Sequence, residues 1–235
     1  MIRLGPEALE PEVAVARPVE LLAAAADGPA VVSWSTVVRP TLVLGRSGRE
    51  PDLDPAALAD EDVVLTRRSS GGGPVLWDAD LLALDVVLPR GHPREERDVV
   101  LAYRWLGEAL AAALVALGVP GVALVSVDRA RAARADDSPA TSVCFGGLSP
   151  FEVLAQGRKV VGLSQTRRRP GTLLQAGIPL VMDAARLGRL TGGGPPLASA
   201  LRARAAGLRE FVPGLTAERV VAAVDDQLIA ALSVD

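Results

Sequence analysis

Two rare residues lie in one short stretch, residues 142–169, and both could do chemistry. Cys144 is the only cysteine of the chain, and Lys159 is the only lysine among its 25 lysine and arginine residues. A lysine is a compact charge on a flexible stem, and burial can make it give up its proton more easily, whereas the arginine guanidinium is a rigid planar fork. Because every other basic residue of the chain is arginine, the lysine at position 159 indicates a role that arginine cannot fill. Polarising a carbonyl or holding a thioester oxygen would be such a role.

The cysteine has two interpretations. A lone cysteine beside Phe145 is most often a small, buried hydrophobic residue. The two glycines after Phe145 and the polar segment before Cys144 indicate partial exposure instead. An exposed thiol becomes a nucleophile when a nearby cation stabilises its thiolate form. Lys159, which we expect on an adjacent strand, could be that cation.

The glycine loop "RRSSGGGPVLWD", residues 67–78, is a second candidate site. Three consecutive glycines allow the backbone to approach a ligand closely, and their N–H groups could hold an anion while Arg67 and Arg68 add positive charge. The alternative is a flexible hairpin that binds nothing. The loop has neither the Gly-Lys-Ser/Thr of a Walker A motif nor the strand-turn-helix context of a dinucleotide fingerprint. His92 is the only histidine, which excludes a two-histidine metal site, and no metal is expected.

The elements that must position these residues follow from the pattern of apolar residues. Strands are predicted at 30–35, 41–46, 62–67, 75–78, 81–88, 122–127, 142–147, 151–156, 158–168 and 171–181. Helices are predicted at 12–26, 53–62, 95–117 and 216–232. Loops are predicted at 128–141, which we expect to be mobile, and at 191–200. Between two of the strands, "QGR" predicts a tight hairpin turn because Gly157 tolerates a positive φ.

This order of elements predicts an α/β fold of the α+β kind. We expect a mixed β-sheet flanked by helices, in one domain over residues 1–235, with a core at about 15–190 and a helical C-terminal tail at 196–235.

The composition indicates a soluble protein of the cytoplasm. Hydrophobic residues make up 49% of the chain, but no apolar run reaches the roughly 18 residues of a membrane span. The N-terminal segment is acidic and interrupted by prolines, unlike a signal peptide, and a single cysteine fits a reducing compartment. The net charge of −3 argues against general nucleic-acid binding. We therefore expect neither a nucleic-acid partner nor a membrane.

Three sequence blocks, in this order, resemble the lipoate–protein ligase and octanoyltransferase family, a branch of the biotin/lipoate ligase fold. "RRSSGGGPVLWD" matches Arg-Arg-x-Ser/Thr-Gly-Gly-Gly-x-Val-x-His-Asp, and "CFGGLSPFE" matches Cys-Phe-x-x-x-Ser-x-x-Glu. "GRKVVGLSQTR" matches Gly-(Arg/Lys)-Lys-(Ile/Val)-x-Gly-(Ser/Leu)-(Ala/Ser)-Gln-x-Arg. The resemblance covers about residues 15–190. It implies that Lys159 is the essential lysine of the family, contacting the acyl carbonyl or the phosphate of an adenylate.

The resemblance also implies a set of site residues. The catalytic ones would be Lys159 and Cys144. The acyl- or adenylate-binding ones would be Arg67, Arg68, Ser70, Gly71, Gly72, Gly73, Asp78, Gly162 and Ser164, with Asp78 holding the glycine loop. Trp77 and Ala176 stand where the family usually has histidine, and "ADLL" replaces the usual Gly-Asn, so the wall of the acyl pocket departs from the family pattern.

Three functions remain open. A cysteine-dependent octanoyltransferase would take octanoyl from acyl carrier protein onto Cys144 and pass it to the lysine of a lipoyl domain, such as that of a 2-oxoacid dehydrogenase E2 or the glycine cleavage H protein, without a cofactor. A lipoate–protein ligase would instead use ATP and Mg²⁺ to form an acyl-adenylate held by Lys159. A non-catalytic homologue would only bind an acyl group or a lipoyl domain, an alternative favoured by Trp77 and Ala176.

Overall fold

The computed structural model describes residues 1–26, 28–46 and 52–233. Its strands are β1 Ile2–Leu9, β2 Val31–Val37, β3 Thr41–Leu44, β4 Val64–Arg67, β5 Val75–Trp77, β6 Leu81–Pro89, β7 Val122–Leu124, β8 Val153–Ala155, β9 Arg158–Arg168 and β10 Gly171–Pro179. Its helices are α1 Pro11–Ala23, α2 Pro55–Asp60, α3 Arg104–Ala116, α4 Val127–Ala132, α5 Ala184–Leu190, α6 Gly194–Arg202 and α7 Ala217–Leu232. Within the described ranges, no helix combines the length and apolarity that crossing a membrane requires.

The strands form two sheets. The larger has the order β1-β2-β6-β10-β9-β8-β7, in which β1 and β2 are parallel and the other neighbours antiparallel. The smaller has the order β4-β3-β5, with β3 and β4 parallel. The predicted α/β architecture, a mixed sheet flanked by helices, is confirmed.

The two faces of the larger sheet serve different purposes. Side chains alternate between the faces along a strand, so Leu82 and Leu84 point to one side while Ala83 and Asp85 point to the other. The first side carries the main core, which α3 and α7 cover with residues such as Leu110 and Val224. The second side faces α1, α5, α6 and the smaller sheet, and it is where the candidate site lies.

The hairpin prediction at "QGR" is confirmed. Gln156 and Gly157 both have positive φ, at 47° and 83°, between β8 and β9. Two central residues with positive φ are the signature of a type I′ turn, which matches the twist of the flanking strands. This turn sets the register that puts Lys159 at the start of β9.

Helix α3 is shorter than the predicted 95–117. A 3₁₀ turn at Leu101–Tyr103 precedes it, and the helix proper begins at Arg104. The Asp98 carboxylate accepts hydrogen bonds from the N–H groups of Val100 and Leu101, at 2.7 and 3.0 Å. A short acidic side chain that takes backbone donors in this way favours a turn over continued helix. The C-terminal end is as predicted, because Gly118 follows with φ of 81°.

Three local predictions are wrong. The expected mobile loop at 128–141 contains α4 and two 3₁₀ turns, and the expected strand at 142–147 is a series of turns. The expected loop at 191–200 contains most of α6, whose Leu197 and Leu201 are buried. In each case contacts distant in sequence decide the conformation, as when Ala130 of α4 packs with Val125 and Leu154.

Two further elements do not follow from the sequence pattern. Strand β1 is one of them, because Gly5 and Pro6 interrupt its segment. It forms an edge strand that pairs with β2, and an edge position tolerates proline. Helix α5 is the other; Asp183 caps it by accepting a hydrogen bond from Arg186 N at 2.9 Å.

Candidate active site

A cavity of about 340 Å³ lies among the larger sheet, the smaller sheet and α1. That volume is at the lower end of the range for small-molecule sites, roughly 300 to 1,000 Å³. Eight of the residues proposed from the sequence line this cavity: Arg68, Gly71, Gly72, Gly73, Cys144, Lys159, Gly162 and Ser164. The structure therefore brings together three blocks that are far apart in the sequence.

Lys159 is buried in the cavity wall, with 4% of the residue exposed. Its Nζ donates to the carbonyl oxygen of Gly147 at 2.6 Å and to both carboxylate oxygens of Glu152 at 3.0 and 3.1 Å. An ammonium group has three hydrogens to donate, so these acceptors use all of them. The Nζ also lies 5.5 Å from the centre of the Phe145 ring. The lysine side chain is thus held in one position by a carboxylate and a backbone carbonyl in the cavity wall.

Glu152 is the most important residue that the site prediction left out. Besides the lysine, its carboxylate accepts hydrogen bonds from the backbone N–H groups of Ser149 at 2.7 Å and Leu163 at 3.2 Å. Burying a carboxylate is costly unless hydrogen bonds and an opposite charge replace its contacts with water, and these contacts supply both. A signal was present in the sequence, because Glu152 ends the block "CFGGLSPFE". The ion pair with Lys159 became visible only in the fold.

Cys144 lies in a turn that is fastened to the glycine loop. The residue is half-buried, and its N–H donates to the carbonyl oxygen of Pro74 at 2.8 Å. The next residue, Phe145, has φ of 71°, a left-handed conformation incompatible with the predicted strand. At Gly146 a Cβ would lie 1.7 Å from the carbonyl oxygen of Ala140, so only glycine fits. The turn presents Cys144 to the cavity and, three residues later, the Gly147 carbonyl to Lys159.

Within the glycine loop, Arg68 holds the backbone of the three glycines in place. Arg68 Nη2 donates to the carbonyl oxygens of Gly71 and Gly73, both at 2.9 Å, and Nη1 donates to Val43 O at 3.3 Å. Arg67 Nη1 donates to Gly45 O at 2.9 Å, and Arg67 does not line the cavity. These bonds give both arginines a bracing role, and the expected binding of an anion by their charges stays a prediction.

Close backbone contact explains one glycine of the loop. A Cβ at Gly73 would lie 2.6 Å from the carbonyl oxygen of Ser142 and 2.8 Å from the Cα of Val143. Real Cβ atoms do not approach backbone this closely. Gly73 therefore allows the glycine loop to pack directly against the turn that carries Cys144.

Besides Arg67, two more residues proposed for binding lie outside the cavity lining, Ser70 and Asp78. Ser70 is buried, and its hydroxyl has no hydrogen-bond partner in the described part of the chain. Asp78 accepts a hydrogen bond from Asp80 N at 2.9 Å and lies 3.7 Å from Arg186 Nη1, while burial raises the pKa of its carboxyl. These contacts join Asp78 to the turn between β5 and β6 and to α5, and the role of Asp78 in holding the glycine loop stays a prediction.

The two departures at positions where the family usually has histidine both touch the cavity. Trp77 lines it and is anchored by its Nε1, which donates to Leu81 O at 3.1 Å. Ala176 also lines it but belongs to the main core on the opposite face of the sheet. Neither residue offers an ionisable group, so acid–base chemistry at these positions is lost.

The cavity floor contains a buried carboxyl group that sequence reasoning overlooked. Asp85 is 3% exposed, and burial raises its pKa to about 7 despite a hydrogen bond from Gln175 and the positive charge of Arg17, which both lower it. The Gln175 Nε2 donates to Asp85 Oδ1 at 2.8 Å. An aspartate inside the apolar strand "LLALDVVL" was the available signal. In the described residues, no group of three or more His, Cys, Asp or Glu side chains could hold a metal ion.

The chain is similar to known proteins in sequence and in fold. Residues 10–229 match the family model described as the lipoyl protein ligase A/B catalytic domain. The octanoyltransferase LipM of Bacillus cereus is 35% identical over 147 residues, which cover 61% of this chain and 51% of that relative. The chain thus spans about half the length of the curated relatives it matches first.

Solved structures share the fold over the whole chain. A bipartite lipoate protein ligase, described with its E2 lipoyl domain, from Thermoplasma acidophilum aligns with a TM-score of 0.76 at 17% identity, covering 100% of this chain and 84% of that one. Lipoate-protein ligase A bound with ATP aligns with a TM-score of 0.75 at 19% identity, covering 100% and 86%. At such identities these matches show the fold alone.

Proposed function

Because the chain belongs to the lipoyl protein ligase A/B catalytic domain family, we propose that it transfers an octanoyl group to the lysine of a lipoyl domain, through a thioester on Cys144. The resemblance drawn from the three sequence blocks is thereby confirmed at the level of the family. One observation carries the proposal: Lys159 is hydrogen-bonded to Gly147, in the same turn that presents Cys144 to the cavity. The octanoyltransferases among its relatives support the choice of reaction.

The reaction takes place in two acyl transfers. The Cys144 thiol releases its proton to solvent, and the thiolate attacks the carbonyl carbon of an octanoyl thioester, for which octanoyl-acyl carrier protein is the expected donor. The bond between the acyl carbon and the Cys144 sulfur forms as the bond to the carrier sulfur breaks. The carrier leaves as a thiolate and takes up a proton. The neutral amine of the lipoyl-domain lysine then attacks the acyl-enzyme. An amide forms, Cys144 leaves as a thiolate, and the surplus proton of the amine passes to solvent.

Lys159 stabilises the negative charge that develops on the thioester oxygen in both steps. Its ammonium already has three acceptors, so direct contact with that oxygen requires it to exchange one hydrogen bond. The bond to the neutral Gly147 carbonyl is the weaker one to give up, because bonds to the Glu152 carboxylate are charge-assisted at both ends. Glu152 keeps the lysine in place during that exchange.

The partner and cofactor assignments belong to the same proposal. A lipoyl domain as acceptor is supported by the T. acidophilum ligase of the same fold, described with its E2 lipoyl domain. The transferase reaction needs no cofactor. The alternative, an ATP-dependent ligase working through an acyl-adenylate with Mg²⁺, is favoured by the ATP-bound ligase that shares the fold.

One experiment separates the two reactions. The protein is incubated with octanoyl-acyl carrier protein and a lipoyl domain, with and without ATP, and the masses of both proteins are measured. We expect octanoylation of the lipoyl domain without ATP, and a hydroxylamine-sensitive octanoyl adduct on the enzyme when the lipoyl domain is omitted. Cys144→Ser should lose both. If Cys144→Ser retained full ATP-dependent ligation of free octanoate, the ligase would replace the transferase. If the wild type transferred no acyl group from any donor, a binding role would remain.

A further inference from the structure

The backbone of Lys159 is fixed by a segment that lies far from it in the sequence. After helix α6, residues 203–206 run beside the start of β9, where Ala205 forms a parallel bridge with Lys159. Lys159 N donates to the carbonyl oxygen of Arg204 at 2.6 Å, and Ala206 N donates to the carbonyl oxygen of Lys159 at 3.0 Å. On its other edge Lys159 pairs with β8. The position of Lys159 in the cavity wall therefore depends on this segment as well as on the sheet.

The side chain of Arg204 reaches the turn that carries Cys144. Its Nη1 donates to the carbonyl oxygen of Gly146 at 3.4 Å. The next carbonyl along the turn, that of Gly147, accepts the hydrogen bond from Lys159 Nζ at 2.6 Å. Two cations whose backbones are hydrogen-bonded to each other thus hold consecutive carbonyls of this turn.

Asp136 fixes the Arg204 guanidinium and is connected to the same part of the chain. Its Oδ2 accepts a hydrogen bond from Arg204 Nη1, and its Oδ1 accepts one from Ser138 N at 2.9 Å. The 3₁₀ turn Pro139–Ser142 begins at Ser138, and Gly146 packs against it with no room for a Cβ. The guanidinium is therefore connected to both sides of the close contact at Gly146.

The proposed reaction breaks one of the two hydrogen bonds that hold this turn. Lys159 must give up the Gly147 carbonyl to contact the thioester oxygen, because its three hydrogens are already in use. The turn then loses that hydrogen bond while the Cys144 sulfur must stay aligned with the acyl carbon. The bond from Arg204 to Gly146 does not depend on the exchange, and a guanidinium stays charged throughout.

Support of the fold is the alternative role for Arg204. The side chains of Arg204 and Asp136 are 32% and 29% exposed, and ion pairs as accessible as this one contribute little to stability. The apolar packing of the region comes from neighbours such as Leu201 and Ala205, which are almost fully buried. Removing the guanidinium should therefore leave the fold intact, so its effect on acyl transfer can be measured separately.

We propose that Arg204 is a positioning residue of acyl transfer, which holds the turn that carries Cys144 in place while Lys159 exchanges the Gly147 carbonyl for the thioester oxygen. Arg204 acts through this turn and touches no reacting atom. The inference rests on the proposed function, because the exchange belongs to that reaction. Removing the guanidinium should disturb the reacting enzyme more than the resting one, in which Lys159 still holds Gly147.

Two rates measured on the same variant test this inference. The first is octanoyl transfer from octanoyl-acyl carrier protein to a lipoyl domain, resolved into kcat and the KM for the donor. The second is alkylation of Cys144 by iodoacetamide in the resting enzyme, followed by mass. In Arg204→Met, kcat should fall severalfold to about a hundredfold, the loss expected when a reacting group is displaced by up to about 1 Å. The KM and the alkylation rate should stay close to those of the wild type.

The same substitution two residues away is the matched control. Arg202 is exposed at the end of α6, and Arg202→Met should leave both rates and the Tm unchanged. Wild-type kcat in Arg204→Met would overturn the inference. A parallel fall of kcat and alkylation would overturn it too, because Arg204 would then shape the resting turn.

Two further outcomes keep the test decisive. Should Arg204→Met fail to fold, Arg204→Gln, which removes the charge but keeps a polar side chain, is judged by the same two rates and the same criteria. If the wild type itself formed no acyl-enzyme with octanoyl-acyl carrier protein, the proposed function would be refuted and this inference with it. That result is read from the wild type alone, so it is distinct from a failure of the Arg204 variants to behave as expected.

Discussion

Replacing Lys159 with arginine tests why an arginine-rich chain has a lysine at this position. The lysine is almost fully buried, and its Nζ has acceptors at 2.6 to 3.1 Å on two sides and the Phe145 ring 5.5 Å away on another. A guanidinium is larger and planar, so it cannot occupy that space without moving its neighbours. Overpacking of this kind costs about 1–3 kcal/mol of the free energy of unfolding.

The effect on catalysis should exceed the effect on stability. For a chain of this length, about 1–3 kcal/mol corresponds to a fall in Tm of roughly 2–12 °C, so Lys159→Arg should still be folded at 25 °C. Octanoyl transfer should fall at least about a hundredfold, comparable to the loss of one donor that stabilises a developing oxyanion. The assay is the mass-based transfer reaction, run at 25 °C beside thermal unfolding followed by circular dichroism.

The adjacent residue provides the control. Arg158 is partly exposed, pairs with Glu210 at 2.8 Å and lies 5.1 Å from the centre of the Phe211 ring, and ion pairs near the surface contribute about 0–1 kcal/mol. Arg158→Lys makes the reverse exchange one position away and should leave transfer and Tm nearly unchanged. Wild-type transfer by Lys159→Arg would refute the reasoning, because the choice of lysine would then have no chemical basis.

Three further outcomes are expected. Glu152→Ala should lower the free energy of unfolding by about 3–5 kcal/mol, measured by urea denaturation, because it leaves the buried Lys159 ammonium without its counter-ion; a change under about 1 kcal/mol would contradict the importance of the pair. Gly73→Ala should reduce octanoyl transfer more than stability, since its Cβ would push on the backbone of the turn that carries Cys144. If the variant transferred octanoyl as fast as the wild type, the contact between the glycine loop and that turn would not matter for activity. The raised pKa of Asp85, about 7 against an ordinary 3.8, means that the folded protein holds this proton more tightly than the unfolded chain, so stability falls as pH rises from about 4 to about 7. Asp85→Asn should remove up to about 4 kcal/mol of this decrease in the free energy of unfolding, measured by urea denaturation between about pH 4 and pH 7. If the free energy of unfolding changed with pH equally in the variant and the wild type, the prediction would be wrong.

Local patterns determined a large part of the fold. Strands such as β6, β9 and β10 have apolar runs or alternation strong enough to be predicted from the sequence, and the turn at Gln156 and Gly157 follows from glycine chemistry. These features depend on interactions between near neighbours along the chain, which the sequence displays directly. The rarity of Lys159 and of Cys144 likewise makes both residues candidates through residue type alone, while their roles were inferred from the family resemblance.

Contacts between distant segments decided the rest. Helix α4 has only six residues and buries only Ala130, too little for a pattern to reveal, and β1 exists because β2 is there to pair with it. The turn that carries Cys144 has the residue pattern of a strand, but Phe145 adopts a left-handed conformation and packs its ring against Gly162 and Gly177.

The site shows the same division. The sequence predicted one site that contains a lysine, a cysteine and a glycine loop, because three blocks in this order resemble those of a known family. Only the tertiary structure decided how each group is held: Glu152 as the counter-ion of Lys159, Arg68 as a brace for loop carbonyls, and Asp85 as a buried acid on the cavity floor. Hydrogen-bond partners and burial are properties of positions in space, and adjacent strands of a sheet can join residues from anywhere in the chain.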